Sequence, residues 1–312
     1  MSTLTETTSA TATAETAPER EWRRPSYWPF VIPALVVVLA VIVFPWVFTI
    51  WMSFNEWKVG SPTTFVGFAN YLRLPTDPRF VEAVGHTLVY TALSVLLPVV
   101  FGTFAAVVFH AQFPFRGILR AIFIMPMMAT PVAIALVWTM MFHPQLGVLN
   151  YLLSLVGIPP QLWVFHPATV IPSLVLVETW QWTPLVMLIV LGGIAALPTE
   201  PYESAQIDGA GMWQMFRYIT LPLILPFVVI AAMIRTIDAV KSFDIIFAIT
   251  QGGPGSASET INVYLYSVAF VYYDLGYGSA IAVVFFALIV ALAAVLLYLR
   301  QRTLWTEVGP GA

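Results

Sequence analysis

The chain has 312 residues, of which 59% are hydrophobic and only 9% charged, with a net charge of −3 and no cysteine. A soluble domain carries roughly a quarter charged residues, so the composition specifies an all-α, polytopic membrane protein. It excludes disulfides and cysteine metal sites, and without a basic surplus it excludes nucleic acid as a partner.

Residues 1–24, "MSTLTETTSATATAETAPEREWRR", are a Thr/Ala/Glu-rich tail with no apolar face, expected to be disordered and to end in arginines that anchor an uncleaved first helix. Six apolar spans follow, at about 29–54, 84–108, 121–142, 168–197, 221–249 and 279–299, within a membrane domain of residues 25–302. Proline- and glycine-broken stretches separate them. "HPQLGVLNYLLSLVGIPPQLWVFHP" reads as a short interfacial helix, and residues 303–312 as a C-terminal tail. Trp28 and Trp51, near span ends, suit interfacial anchoring.

Six spans place both termini on one side, and the positive-inside rule selects it. With a cytoplasmic N-terminus, the inside carries Arg20, Arg23, Arg24, Arg116, Arg120, Arg217, Arg300 and Arg302, against Lys58, Arg73 and Arg79 outside. The C-terminus and the loop 198–222 then also face the cytoplasm.

That loop contains "ESAQIDGAGMWQMFRYITLPLILP", a polar insert between two apolar spans. Residues 203–212 are expected to form a short helix with Thr199 as its cap, Gly209 and Gly211 to allow a sharp turn, and 213–220 to resume the helix. The product is a compact docking elbow: Ser204, Ala205, Gly209 and Ala210 permit close approach, and Glu203 and Asp208 supply charge.

The insert resembles the E-A-A-x-x-x-G loop of ATP-binding-cassette importer permeases at Glu203, Ala205, Asp208, Gly209, Ala210, Phe216, Leu221, Pro222 and Pro226, departing at Ser204. "FVGFANYLRLPTDPRF", "GVLNYLLSLVG" and "TQGGPGSASETINVYLYSVAF" followed by "GYGSA" are similar to the maltose- and glycerol-3-phosphate-type sugar permeases. The resemblance implies half of the pathway of a carbohydrate importer in a bacterial inner membrane. It implies a second permease, an external sugar-binding protein, and two ATPase subunits that hold ATP and magnesium and dock on Glu203, Ser204, Ala205, Asp208, Gly209, Ala210 and Phe216. The chain itself is expected to be no enzyme. The loop 252–255 lacks the Gly-Lys-Ser/Thr ending of a phosphate loop, and the only lysines are Lys58 and Lys241.

Charges inside a bilayer are costly and usually face a cavity or a partner. Glu178, Gln181, Trp182 and Leu185 repeat at i, i+3, i+4, i+7 in the fourth span; Arg235, Asp238, Ala239 and Ser242 repeat the spacing in the fifth. Two such stripes give hydrogen-bonding groups and an aromatic platform, which a sugar requires. The competing reading has Arg235 neutralise Asp238 and Lys241 neutralise Asp244 within one helix. His86, His110, His143 and His166 are scattered and show no metal spacing. A stand-alone secondary sugar transporter is the alternative function, but no inverted repeat is evident and it leaves the elbow unexplained. A membrane-embedded hydrolase lacks any supporting constellation.

Overall fold

The computed structural model describes residues 27–305, and the side chains of 27–298. The tail 1–24, the segment 306–312 and the side chains of Arg300 and Arg302 therefore lie outside the described residues. The chain divides into two units after Trp46.

The first unit contributes α1 (Trp28–Val38) and a π-turn, Leu39–Val43, that leads into α2 (Phe44–Ser53). Trp28–Ser53 is long and apolar enough to cross a membrane.

The second unit begins within α2. A two-residue hairpin follows, β1 (Asn55–Glu56) against β2 (Thr64–Phe65), with Asn55 opposite Phe65. After α3 (Ala69–Arg73) comes α4 (Pro78–His110), started by Asp77, whose carboxylate accepts from the Arg79 and Phe80 amides. Next are α5 (Arg116–Met128) and α6 (Pro131–Met141), then the short α7 (Val148–Leu155) and the long α8 (Pro167–Ala195). The elbow holds α9 (Glu200–Ile207) and α10 (Met212–Met215), joined through a π-turn to α11 (Leu221–Val240). Last are α12 (Asp244–Thr250), α13 (Ile261–Tyr266) and α14 (Leu275–Trp305).

Among the described residues five helices can each span a membrane, and the bent pair α5–α6 makes up to six. Two spans differ from the uninterrupted helices expected. The third is broken, with α5 and α6 at 99°. Pro131 forces Thr130, and with it Ala129, into extended backbone (ψ 143° and 149°), so the helix cannot run through. The fifth stops at Val240 instead of reaching 249, because Lys241 to Phe243 unwind before α12 restarts.

The core is the seam of α4, α8 and α11. α4 and α8 run parallel: Tyr90 meets Glu178 and Gly102 meets Val186. A Cβ on Gly102 would lie 2.6 Å from Val186 Cβ, so only glycine allows this approach. Ala105, Ala106, Val186, Met187, Val190, Ile224 and Ala231 fill the seam below it. Without water to drive helices together, such close packing of small residues carries the association. The segment read as interfacial folds around Asn150, whose amide donates to Pro144 O and Gln161 O and whose Oδ1 accepts from Trp163 Nε1.

Candidate functional site

Near the middle of α8, Glu178 is 3% exposed, a carboxylate buried among membrane helices. Its oxygens are fully engaged. Oε1 accepts from Tyr90 Oη of α4 at 2.9 Å and from Ser242 Oγ at 3.1 Å, while Oε2 accepts from Arg235 Nη2 of α11 at 2.8 Å. Arg235, 1% exposed, also reaches Ser94 O, and its guanidinium carbon lies 4.9 Å from the centroid of the Trp182 ring. A lone charge at this depth costs several kcal/mol; the pairing and the extra bonds offset it. The unwinding after Val240 brings Ser242 within reach of Glu178.

Beside this cluster is a cavity of about 220 Å³. Glu178, Trp182, Arg235, Asp238 and Ser242 line it, five of the eight residues expected to form a sugar site. Gln181, Leu185 and Ala239 are not on its wall. Gln181 and Ala239 are buried, and Gln181 Oε1 has no hydrogen-bond partner among the described residues. Pro131, Lys241, Phe243, Asp244 and Ile245 complete the lining.

The charge pairing differs from the i,i+3 reading. Arg235 crosses to Glu178 on the neighbouring helix instead of joining Asp238. Lys241 turns back to Asp238, at 3.1 Å, because Asp244 lies beyond the break and starts another helix. Tyr90 was missed by sequence reasoning, since one tyrosine in an apolar span carries no periodic signal. Pro131 was legible only as a helix breaker.

A larger cavity, about 620 Å³, lies between α4, α5 and α8. Phe101, Phe104, Phe109, Phe123, Trp180 and Leu176 dominate its wall. Its hydroxyls are those of Thr179 and Thr183, with the Trp180 indole beside them, and Thr183 already donates to Thr179 O. It offers hydroxyl-rich ligands almost nothing.

The second predicted region, the elbow, begins one turn earlier than expected. Pro201 starts α9 in its first turn, and the Thr199 side chain makes no capping bond. Gly209 ends the helix with φ +78°, where an L side chain is strained. The turn is tied by Asp208 N to Ser204 O and Ala210 N to Ala205 O, and Gln214 Oε1 accepts from Gly211 N at 2.8 Å. Tyr202 Oη donates to Thr220 Oγ1 and couples α9 to the base of α11. Ala205, Asp208, Gly209 and Ala210 border a shallow hollow of about 320 Å³. Glu203 and Ser204 are exposed, and Phe216 is half-buried with its ring 5.6 Å from that of Trp213. Ile207, Met212, Trp213 and Tyr218 are more than two-thirds exposed, a contiguous stretch of chain showing large apolar groups.

The opposite end of α4 was not predicted as a site. Arg79 makes a two-pronged pair with Glu259 (Nε–Oε2 2.6 Å, Nη2–Oε1 2.9 Å) and donates to Tyr272. Asp77 accepts from Tyr264, Tyr277 and two backbone amides. Partial burial opposes its charge, but these bonds together hold its carboxyl below the ordinary value.

The sequence and the fold match known proteins. Residues 99–305 fit the family of binding-protein-dependent transport system inner membrane components. The trehalose/maltose transport system permease protein MalF of Thermococcus litoralis is 36% identical over 271 residues, covering 86% of this chain and 90% of that one. The sulfoquinovosyl glycerol transport system permease protein SmoG of Agrobacterium fabrum is 34% identical, covering 86% and 87%. In fold, the chain is similar to a bacterial ABC transporter involved in alginate import (TM-score 0.78, 22% identity, 88% of this chain and 94% of that one). With well over half its length matching the family and relatives above 30% identity along most of theirs, the chain belongs to the inner-membrane components of binding-protein-dependent transport systems and is a multi-pass ABC-type permease.

Proposed function

We propose that the chain forms half of the translocation pathway of an ATP-driven sugar importer, and that substrate passes along the cavity beside Glu178. The observation that carries this is a polar, mixed-charge cavity with an indole on its wall, set among otherwise apolar membrane helices. Hydroxyls need donors and acceptors, which Asp238, Lys241 and Asp244 on the cavity wall supply, while Glu178 holds Arg235 and Ser242 in place. The C–H face of a sugar needs an aromatic ring, and Trp182 is on the cavity wall. Relatives named for trehalose/maltose and for sulfoquinovosyl glycerol support sugars as the class.

The elbow, 198–222, is the coupling element. Its exposed Ile207, Met212 and Trp213 and its charged Glu203 and Asp208 dock a separate ATPase, which holds ATP and magnesium; this chain has no ATPase site of its own. A second permease completes the pathway, two ATPase subunits drive it, and an extracytoplasmic sugar-binding protein delivers the load. The membrane is the bacterial inner membrane, with both termini and the elbow in the cytoplasm, as the arginine asymmetry favours. The membrane domain is 25–302, between tails 1–24 and 303–312.

Sugar uptake by the assembled complex tests the pathway. Trp182→Ala should cut sugar affinity roughly tenfold, about 1–2 kcal/mol of lost stacking, with the ATPase still attached, and Trp182→Phe should retain most of it. Wild-type uptake by both variants would remove Trp182 from the pathway. For orientation, a cysteine at Ser256 should react with an impermeant thiol reagent from outside and one at Gln214 only from inside; the native chain contributes no background thiol. Reversed labelling would overturn the cytoplasmic elbow.

A further inference from the structure

We infer that the cavity beside Glu178 selects by charge, accepting neutral and amino-bearing sugars and rejecting anionic ones; this rests on the reading of that cavity as the sugar pathway. Its wall carries two cations, Arg235 and Lys241, and three carboxylates, Glu178, Asp238 and Asp244. Each cation is already held by a carboxylate of this chain, Arg235 by Glu178 at 2.8 Å and Lys241 by Asp238 at 3.1 Å. Asp244 is exposed on the wall and has no ion pair or side-chain hydrogen bond among the described residues. It sits in the first turn of α12, beyond the break that follows Val240. The wall therefore has an excess of one negative charge, and that charge is the one left unpaired.

A sugar carboxylate, sulfonate or phosphate would have to share a cation with the carboxylate that already holds it, or strip that cation away. Stripping Arg235 would leave Glu178 buried with only the Tyr90 and Ser242 hydroxyls, and a buried carboxylate without its cation is strongly unfavourable. The Nη2 of Arg235 is taken by Glu178 and Ser94 O, and its Nε is buried with no hydrogen-bond partner among the described residues. Lys241 is more exposed, but releasing it frees Asp238 beside the incoming anion. A neutral sugar meets none of these costs, since Asp244 accepts from its hydroxyls. A sugar ammonium would pair with Asp244 directly.

The test is equilibrium binding to the permease–ATPase assembly without the external binding protein, so that selectivity reports on the membrane cavity alone. The probes are matched trios: glucose, glucosamine and glucuronate, and maltose with its amino and carboxylate analogues. Within a trio, the carboxylate probe should bind roughly tenfold more weakly than the neutral one, the effect of one like charge at close range in a partly hydrated site. The amino probe should bind at least as well as the neutral one. Asp244→Asn should narrow the gap between neutral and anionic probes, and Asp244→Lys should reverse it. Carboxylate probes that bind as tightly as neutral ones would overturn the charge selection and leave the sugar pathway standing. An unchanged gap in both Asp244 variants would overturn the role of Asp244. Binding of no trio member would overturn the sugar reading itself.

Discussion

At the end of the second unit where α4 begins, the chain closes on itself. Arg79, Glu259, Tyr272, Asp77, Tyr264 and Tyr277 bind one another across sequence separations of up to 200 residues. Arg73 and Lys58 meet Asp274 beside them. At the elbow end, a few local bonds shape α9 and α10, while Ile207, Met212, Trp213 and Tyr218 stand in the open. Both ends carry polar and aromatic residues in similar supply, yet one spends them internally and the other leaves them outward. A side chain already held by its own fold contributes to stability; one left exposed at small energetic benefit is free for a partner. The contrast separates what keeps the permease folded from the surface proposed to meet its ATPase.

The largest effect that sharpens this contrast is expected at the closed end. Glu259 is 3% exposed in its side chain, while Arg79 is 40% exposed and reached by water. Arg79→Ala leaves that carboxylate buried without its cation and should cost about 2–3 kcal/mol, less than a fully buried pair because of the exposed partner. Thermal unfolding of the purified complex reads the loss. Trp213→Ala at the elbow should leave stability within about 0.5 kcal/mol of the parent, as for an exposed site, and reduce ATPase retention instead. Equal destabilisation by both would erase the distinction between the ends.

Gly209→Val tests the same contrast with one residue. No heavy atom of the described residues lies within 4 Å of the position a Cβ would take, so the added Cβ itself meets open space. Its cost is the positive φ, about 1–2 kcal/mol confined to the turn. Insertion and expression should hold while ATPase association and transport fall. Normal transport at normal expression would show that the elbow is not the docking element.

The two ends were also unequally legible in the sequence. The elbow is local: its prolines, paired glycines and exposed charges lie within two dozen residues, so its helix–turn–helix outline follows from neighbours in sequence. The apolar spans were legible because a bilayer demands long unbroken runs. The breaks at Ala129–Thr130 and after Val240 were not, although Pro131 carried the first signal; hydropathy averages over such a kink. The Glu178 cluster was half visible. Spacing placed Glu178 with Trp182 and Arg235 with Asp238, but which charge pairs with which depends on the rotation of α8 against α11. The closed end was invisible, because Asp77 with Tyr277 or Arg79 with Glu259 is a contact set only by tertiary packing.

The smallest effect concerns acid, and it isolates the closed end without disturbing the elbow. Asp77 lies outside the spans and is held by four bonds as the carboxylate, so its folded pKa falls below the unfolded value near 3.8. A depressed carboxyl contributes stability that is fully present above that unfolded value and is lost as pH falls toward the folded one. Most of this side chain's surroundings remain accessible to water, which limits the contribution. The parent complex should therefore show a modest fall in melting temperature on acidification below about pH 4. Asp77→Asn keeps the shape and one acceptor oxygen but cannot titrate. It should start about 1 kcal/mol less stable at neutral pH, the loss of charge-assisted bonds at a partly exposed site, and show a shallower acid decline. The comparison is the difference between the two melting curves from pH 7 to 3, with ATPase retention followed alongside. A parallel decline in both proteins would place the acid sensitivity elsewhere, and an ATPase loss specific to Asp77→Asn would mean that the closed end and the elbow are mechanically joined through α4 and α8 rather than independent.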